Sequence, residues 1–327
     1  MIQLRGVSFS YSHSDAAVLK RVNLDFAKGE FALLTGPTGS GKTTLLKVIN
    51  RLIPTFSPGA ISGQVLIDQI DVTNQLPQQL AELVGYVPQS PDESFVAQNV
   101  IDELAFGMEQ LGIAPSEMRS RIVQVADKLG IAHLLGRKIE TLSGGEKQRL
   151  AIGSALVAGQ QVLLLDEPTS SLDATSASEI LFLLKDLSKD HGITILIAEH
   201  RLERVLPLID SLVTVHTDGS VNKGPADAPI LDNRIKPPLP KARENKTPNL
   251  ASTQAATAEV HDLAIAFDGE SVLSNLNLKL SSASITALIG PNGSGKSSCL
   301  WAIQGSGLRT AGNVLVNGTD PANLKNL

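Results

Sequence analysis

Cysteine, aromatic residues, basic surplus and long apolar runs are all scarce in this chain, and each scarcity excludes something. Cys299 is the single cysteine, so no intrachain disulfide can form and nothing points to an oxidising compartment. It lies within an apolar helical pattern and reads as a small buried hydrophobe. Aromatics make up 3% of a chain that is 42% hydrophobic, which leaves an aliphatic core of the kind that fills buried parallel strands. Lys and Arg total 28 against 33 Asp and Glu, so the net charge of −5 does not favour a nucleic-acid partner. No run approaches 18 apolar residues, and none is expected to span a membrane. The opening MIQLRGVSF enters a strand pattern without a basic leader, so a cytosolic location is expected.

What the chain does have is a repeat. FALLTGPTGSGKTTLLKVI (31–49) returns as ITALIGPNGSGKSSCLWAI (285–303), and VLKRVNLDF (18–26) returns as VLSNLNLKL (272–280). The offset of 254 residues is too long for a solenoid and fits two copies of one domain. Residues 1–230 read as a complete first domain and 231–258, rich in Pro, Asn, Ser and Ala, as a linker. Residues 259–327 read as the start of a second domain. In the first copy, strand-length apolar runs (31–35, 162–166, 193–198) alternate with helical spacing (43–52, 178–187). That alternation predicts an α/β domain with a mainly parallel sheet, whose ligands sit at the carboxyl ends of the strands.

GPTGSGKT (36–43) matches the phosphate-loop pattern between a strand and a helix. Gly36, Gly39 and Gly41 allow the backbone to turn its amides inward. Lys42 is placed to reach the β- and γ-phosphates of a nucleotide, and Thr43 to hold Mg²⁺. VLLLDEP (162–168) is a buried strand ending in two acids. Asp166 is the candidate second anchor for Mg²⁺, and Glu167 the candidate base that polarises water. In ETLSGGEKQRLAIGSAL (140–156), Ser143 and Glu146 form a capping box around Gly144 and Gly145. Beyond capping a helix, those glycines offer a second anion site that a separate copy of the domain is placed to use.

LSGGEKQR (142–149) resembles the signature of ATP-binding-cassette ATPases. The resemblance covers the whole first copy. It implies a P-loop fold with a mainly parallel sheet, an antiparallel β part and a helical subdomain, followed here by a partial second copy. It also implies ATP and Mg²⁺ as cofactors, and paired cassettes in which the signature of one closes over ATP held by the other. By the same resemblance Pro37, Thr38, Ser40 and Thr44 line the nucleotide, and Tyr11 stacks on adenine. Gln89 senses Mg²⁺ and the attacking water, Ser171, Leu172 and Asp173 cross the dimer seam, and His200 contacts the γ-phosphate.

VGYVPQSPDESFVAQNVIDELAFG (84–107) resembles the corresponding region of energy-coupling-factor transporters, which import vitamins and transition-metal ions. Ser94 stands where that group usually has glutamine. The implied partners are an integral membrane coupling subunit and a membrane substrate-binding subunit, with this chain on the inner face of the cell membrane. The competing reading is a soluble tandem-cassette ATPase acting on ribosomes or DNA, which calls for a basic helical arm between domains. A non-catalytic scaffold is a third, disfavoured because Glu167 and His200 are both present.

The second copy supplies Phe267 as a possible adenine platform and Gly290, Gly293, Ser294, Gly295, Lys296, Ser297 and Ser298 as its phosphate loop. It has no counterpart of Gln89, Ser143, Asp166, Glu167 or His200, and the expectation is a truncated form of a longer tandem-cassette protein.

Overall fold

The computed structural model describes residues 1–14, 16–227, 256–267, 269–282 and 284–324. The chain divides into two units, Met1–Asn233 and Arg234–Leu327. Most of the expected linker, 231–258, lies outside the described residues.

Short helical turns aside, the first unit begins with β1 (Ile2–Tyr11), β2 (Leu19–Phe26), β3 (Phe31–Thr35) and α1 (Lys42–Ile49). β4 (Gly59–Ile67), β5 (Ile70–Asp71) and β6 (Val84–Val87) follow, then the helices α2 (Val100–Gln110), α3 (Pro115–Lys128) and α4 (Gly144–Ser154). It closes with β7 (Val162–Asp166), α5 (Ala174–Lys189), β8 (Thr194–Ala198), β9 (Ser211–Val215) and β10 (Val221–Pro225). The strands form two sheets: β2-β1-β4-β5, antiparallel, and β10-β9-β3-β8-β7-β6, parallel except for β10.

Every residue of β3, β7 and β8 is buried, as strands covered on both faces require. Successive side chains point to opposite faces, so each strand feeds two cores. Phe31, Leu33, Leu163, Leu165, Ile195 and Ile197 pack with apolar residues of α2 to α5. Ala32, Leu34, Val162, Leu164, Leu196 and Ala198 pack on the other side, with α1 and the antiparallel sheet. The phosphate-loop helix is thereby held between the two sheets.

The helical spacing over 43–52 overshoots α1, which ends at Ile49. Arg51 adopts φ 64°, and the Asn50 side chain accepts the Leu52 N–H at 3.1 Å, so the chain leaves the helix there.

The second unit contains β11 (Ala256–Phe267), β12 (Glu270–Ser281), α6 (Lys296–Gln304) and β13 (Ala311–Val316), its strands ordered β12-β11-β13 and antiparallel. It repeats a local device of the first. The Gly6 N–H donates to Asn23 Oδ1 at 2.8 Å, and the Asp262 N–H to Asn277 Oδ1 at 3.0 Å. Gly6 and Asp262 both have positive φ, 60° and 47°, beside the bulge in their strand.

The repeat sets 285–289 against 31–35 and so leads one to expect a strand before the second phosphate loop as well. The apolar run 285–289, the counterpart of β3, is not a strand, and Ile285 and Ile289 are exposed. β3 is hydrogen-bonded to β8 on one side and β9 on the other. The described part of the second unit contains no such partners, and an apolar run forms a strand only where a ladder receives it.

Candidate nucleotide site

The site lies at the carboxyl ends of β3, β7 and β8, where α/β sheets bind ligands. After β3 the chain curls through 36–41 into α1. Gly36 has φ 145°, and a Cβ there would sit 2.2 Å from the Val215 carbonyl oxygen, so only glycine lets the loop start against β9. Lys42 is buried, and its Nζ donates to the carbonyls of Gly36 at 2.9 Å and Pro37 at 3.1 Å. Burial lowers the Lys42 pKa, while the carboxylates of Glu167 and Asp166 pull it back up. Pro37, Thr38 and Gly39 are exposed, so the cradle opens to solvent. Ser40 is buried, with its hydroxyl lacking a hydrogen-bond partner among the described residues. An unpaired hydroxyl and a buried ammonium in one glycine-rich loop fit a phosphate group.

Thr43 Oγ1 donates to Asp166 Oδ2 at 2.7 Å, which brings the two candidate metal oxygens together across the end of β7. A hydroxyl and a carboxylate are the hard donors that Mg²⁺ prefers. Tyr86, on the neighbouring β6, is set against Asp166, and burial together with that carboxylate raises its pKa.

Glu167 is the hub of the remaining contacts. Its Oε1 lies 2.7 Å from His200 Nε2, and its Oε2 accepts Gln89 Nε2 at 3.2 Å. Its backbone has φ 49°, in the left-handed region that costs a non-glycine residue energy, and its N–H donates to the Ala198 carbonyl at 2.9 Å. Loops after β6, β7 and β8 thus meet on one carboxylate. Tyr11 OH and Thr44 Oγ1 lie 3.0 Å apart, which fixes the ring beside the phosphate helix, and Tyr11 stacks on His13 at 5.5 Å.

The signature segment lies apart from this cluster. Ser143 caps α4, its Oγ accepting the Glu146 N–H at 3.3 Å while Glu146 accepts the Ser143 N–H at 2.7 Å. Cβ atoms placed on Gly144 and Gly145 would touch Leu172 and Ser176, so the glycines pack near the start of α5. Asp173 caps α5 by accepting the N–H groups of Thr175 and Ser176, both at 3.0 Å. Among the described residues no hydrogen bond joins Ser143, Gly144 or Gly145 to the phosphate loop. In the second unit Lys296 Nζ repeats the grip of Lys42, donating to Gly290 O at 2.9 Å and Pro291 O at 2.5 Å. Phe267 is 41% exposed.

Contacts not foreseen from sequence surround these groups. Glu199 and Thr169 are both buried and hydrogen-bonded to one another. Lys147 of the signature helix donates to Asp92 at 2.7 Å, and the buried Glu103 accepts the N–H groups of Val96 and Ala97, each at 2.9 Å. A cavity of about 440 Å³ opens there, lined by Asp92, Phe95, Ala97, Gln98, Ile139 and Lys147 among others.

A phosphate loop at the carboxyl edge of a parallel sheet, an acid pair at the end of β7 and a serine-capped signature helix define an ATP-binding-cassette ATPase. The chain belongs to the ABC transporter family, whose model matches residues 19–170 and 273–326. A protein of Streptomyces avermitilis, named as an ABC transporter ATP-binding protein, is 36% identical over 98% of this chain and 67% of its own length. A Bacillus subtilis protein named as an HMP/thiamine import ATP-binding protein is 32% identical over 97% of this chain and 63% of its own. The chain thus spans about two thirds of the length of these curated relatives. Among solved structures, cbiO1 of Clostridium perfringens, part of the ABC transporter complex cbiONQ, is 31% identical with a TM-score of 0.62. That match covers 69% of this chain and 88% of cbiO1. A dimeric cassette in a post-hydrolysis state with ADP and Pi is 26% identical with a TM-score of 0.59, over 69% of this chain and 99% of its own. Among the described residues no helix is long and apolar enough to cross a membrane.

Proposed function

We propose that this chain is the ATP-hydrolysing motor subunit of an ABC importer of the energy-coupling-factor type, serving uptake of a vitamin or transition-metal ion. The observation that carries the hydrolytic part is the convergence of Gln89 and His200 on the two oxygens of Glu167. It stands beside Thr43 and Asp166, joined at 2.7 Å.

In this reading the phosphate loop and Lys42 bind the triphosphate, and Tyr11 supports the adenine. Thr43, Asp166 and Gln89 hold Mg²⁺, which when bound offsets charge on the β- and γ-phosphates. Glu167 accepts a hydrogen bond from the attacking water, and His200 orients Glu167 and faces the γ-phosphate. The second phosphate loop, Gly290–Ser298, binds phosphate with the same lysine grip as the first. That, among the described residues, no hydrogen bond joins Ser143, Gly144 or Gly145 to the phosphate loop supports a role over the nucleotide of a second cassette.

The importer part is supported by the names of the Bacillus subtilis relative and of the cbiONQ complex. The cavity lined by Asp92, Phe95 and Lys147 offers a groove to an integral membrane coupling subunit, and a membrane substrate-binding subunit completes the assembly. The chain then works on the inner face of the membrane.

The test is phosphate release and nucleotide binding by three forms of the chain. Glu167→Gln is expected to lower kcat by roughly 100-fold or more with binding retained, and Lys42→Ala to lose binding. Undiminished turnover in Glu167→Gln overturns the hydrolytic reading. Failure to recover hydrophobic membrane proteins with the tagged chain from its native cell overturns the importer reading.

A further inference from the structure

Glu199 stands between β8 and His200 and has no role in the chemistry described above. It is 2% exposed, and Thr169, its partner, 1%. Its Oε1 accepts the Thr169 O–H at 2.6 Å and the Thr169 N–H at 3.0 Å, while its Oε2 accepts the His200 N–H at 3.3 Å. Three donors from two loops, one after β7 and one after β8, therefore end on a single buried carboxyl group.

The first of those loops opens with Glu167 in its left-handed backbone conformation. Such a conformation persists only where the surroundings over-determine it. The Ala198 carbonyl holds Glu167 from one side, and the Ser170 N–H closes the turn onto the Glu167 carbonyl at 3.1 Å. The tie from Thr169 to Glu199 fixes the far end of the same turn. The turn then runs through the buried Leu172 to Asp173, the cap of α5.

We propose that Glu199 is a positioning residue that locks the Glu167–His200 pair in register and makes the 169–173 turn move with His200. The proposal rests on the reading of Glu167 and His200 as the hydrolytic pair and deepens it. A nucleotide contact at His200 is then carried by main-chain and buried hydrogen bonds to the turn that leads into α5. Both oxygens of Glu199 are needed as acceptors. Glutamine has the same shape, yet in either amide orientation it sets an NH₂ group against an N–H or O–H donor.

The experiment compares wild type, Glu199→Gln, Thr169→Val and the double variant in the full chain, with Glu167→Gln as reference. Hydrolysis rates over a range of ATP, equilibrium ATP binding and melting temperature are measured for each. Glu199→Gln is expected to lower kcat roughly 10- to 100-fold, with ATP affinity essentially unchanged because the phosphate loop is untouched. Thr169→Val, which loses one O–H donor and keeps the N–H, is expected to lower kcat less. The double variant should be no slower than Glu199→Gln alone, since the two residues share one interaction.

Wild-type kcat in Glu199→Gln overturns the proposal, and so does a kcat loss matched by an equal loss of ATP affinity and of melting temperature. If Glu199→Gln does not fold, Thr169→Val decides alone, and an unchanged kcat there overturns the proposal. Hydrolysis surviving in Glu167→Gln sinks the underlying reading instead, so the two failures are distinct.

Discussion

At the scale of single residues, the site joins groups that spacing reveals to groups that only burial reveals. Lys42, Thr43, Asp166 and Glu167 stand in motifs whose spacing follows from the shape of a phosphate loop and the end of a strand. Thr43 is the sharpest of these for a test, because its hydroxyl meets Asp166 at 2.7 Å. Thr43→Val keeps the shape and removes the oxygen. It is expected to raise the Mg²⁺ concentration for half-maximal hydrolysis by roughly 10- to 100-fold, read from a Mg²⁺ titration at saturating ATP. Glu199 and Glu103 were illegible by comparison. An acid after an apolar run reads as a solvent-facing strand end, and the donors that bury Glu199 and Glu103 come from turns whose shape depends on tertiary packing.

At the scale of elements, Asp210, directly before β9, shows how three of them are fastened. Its carboxylate accepts the Phe31 N–H at 2.9 Å, at the start of β3, and Lys189 Nζ at 2.7 and 2.8 Å, at the end of α5. Burial alone would push the Asp210 carboxyl up, but Lys189, the Phe31 N–H and the Lys185 charge together hold it below its ordinary 3.8. A depressed carboxyl pKa contributes stability above the unfolded value and loses it as pH falls through the folded one. Asp210→Asn is therefore expected to cost about 1 kcal/mol at neutral pH. The difference from wild type should shrink as pH drops below 3.8 toward the folded value, followed by urea unfolding across that range. Elements were legible where periodicity was strong: β3, β7, β8 and α5 fall on runs visible in the sequence. The run 285–289 has the same apolar pattern and forms no strand, because pattern encodes readiness to pair and pairing needs neighbours.

At the scale of the whole molecule, the structure divides the chain at 233 and 234, and the sequence repeats at an offset of 254 residues. Pairing of cassettes is a property that no single chain displays. Cβ atoms on the signature glycines would meet Leu172 and Ser176 near the start of α5, and in the proposed function a second cassette completes the site. The Glu167→Gln chain with saturating ATP and Mg²⁺ is expected to double its mass by light scattering, and to return to the starting mass when ATP is removed. A mass unaltered by ATP would leave Ser143, Gly144 and Gly145 without the role assigned to them.

Lys42 and Lys296 close their loops by the same two bonds, although only the first loop has a strand running into it. The curl thus needs no strand feeding it, only the packing of β12 against its last glycine, where Val272 and Leu273 would meet a Cβ on Gly295. A module with so few demands can be copied or transplanted cheaply. What cannot travel with it is the second half of the apparatus, the acids after β7 and the histidine after β8, which exist only where distant stretches of chain have been woven into one sheet.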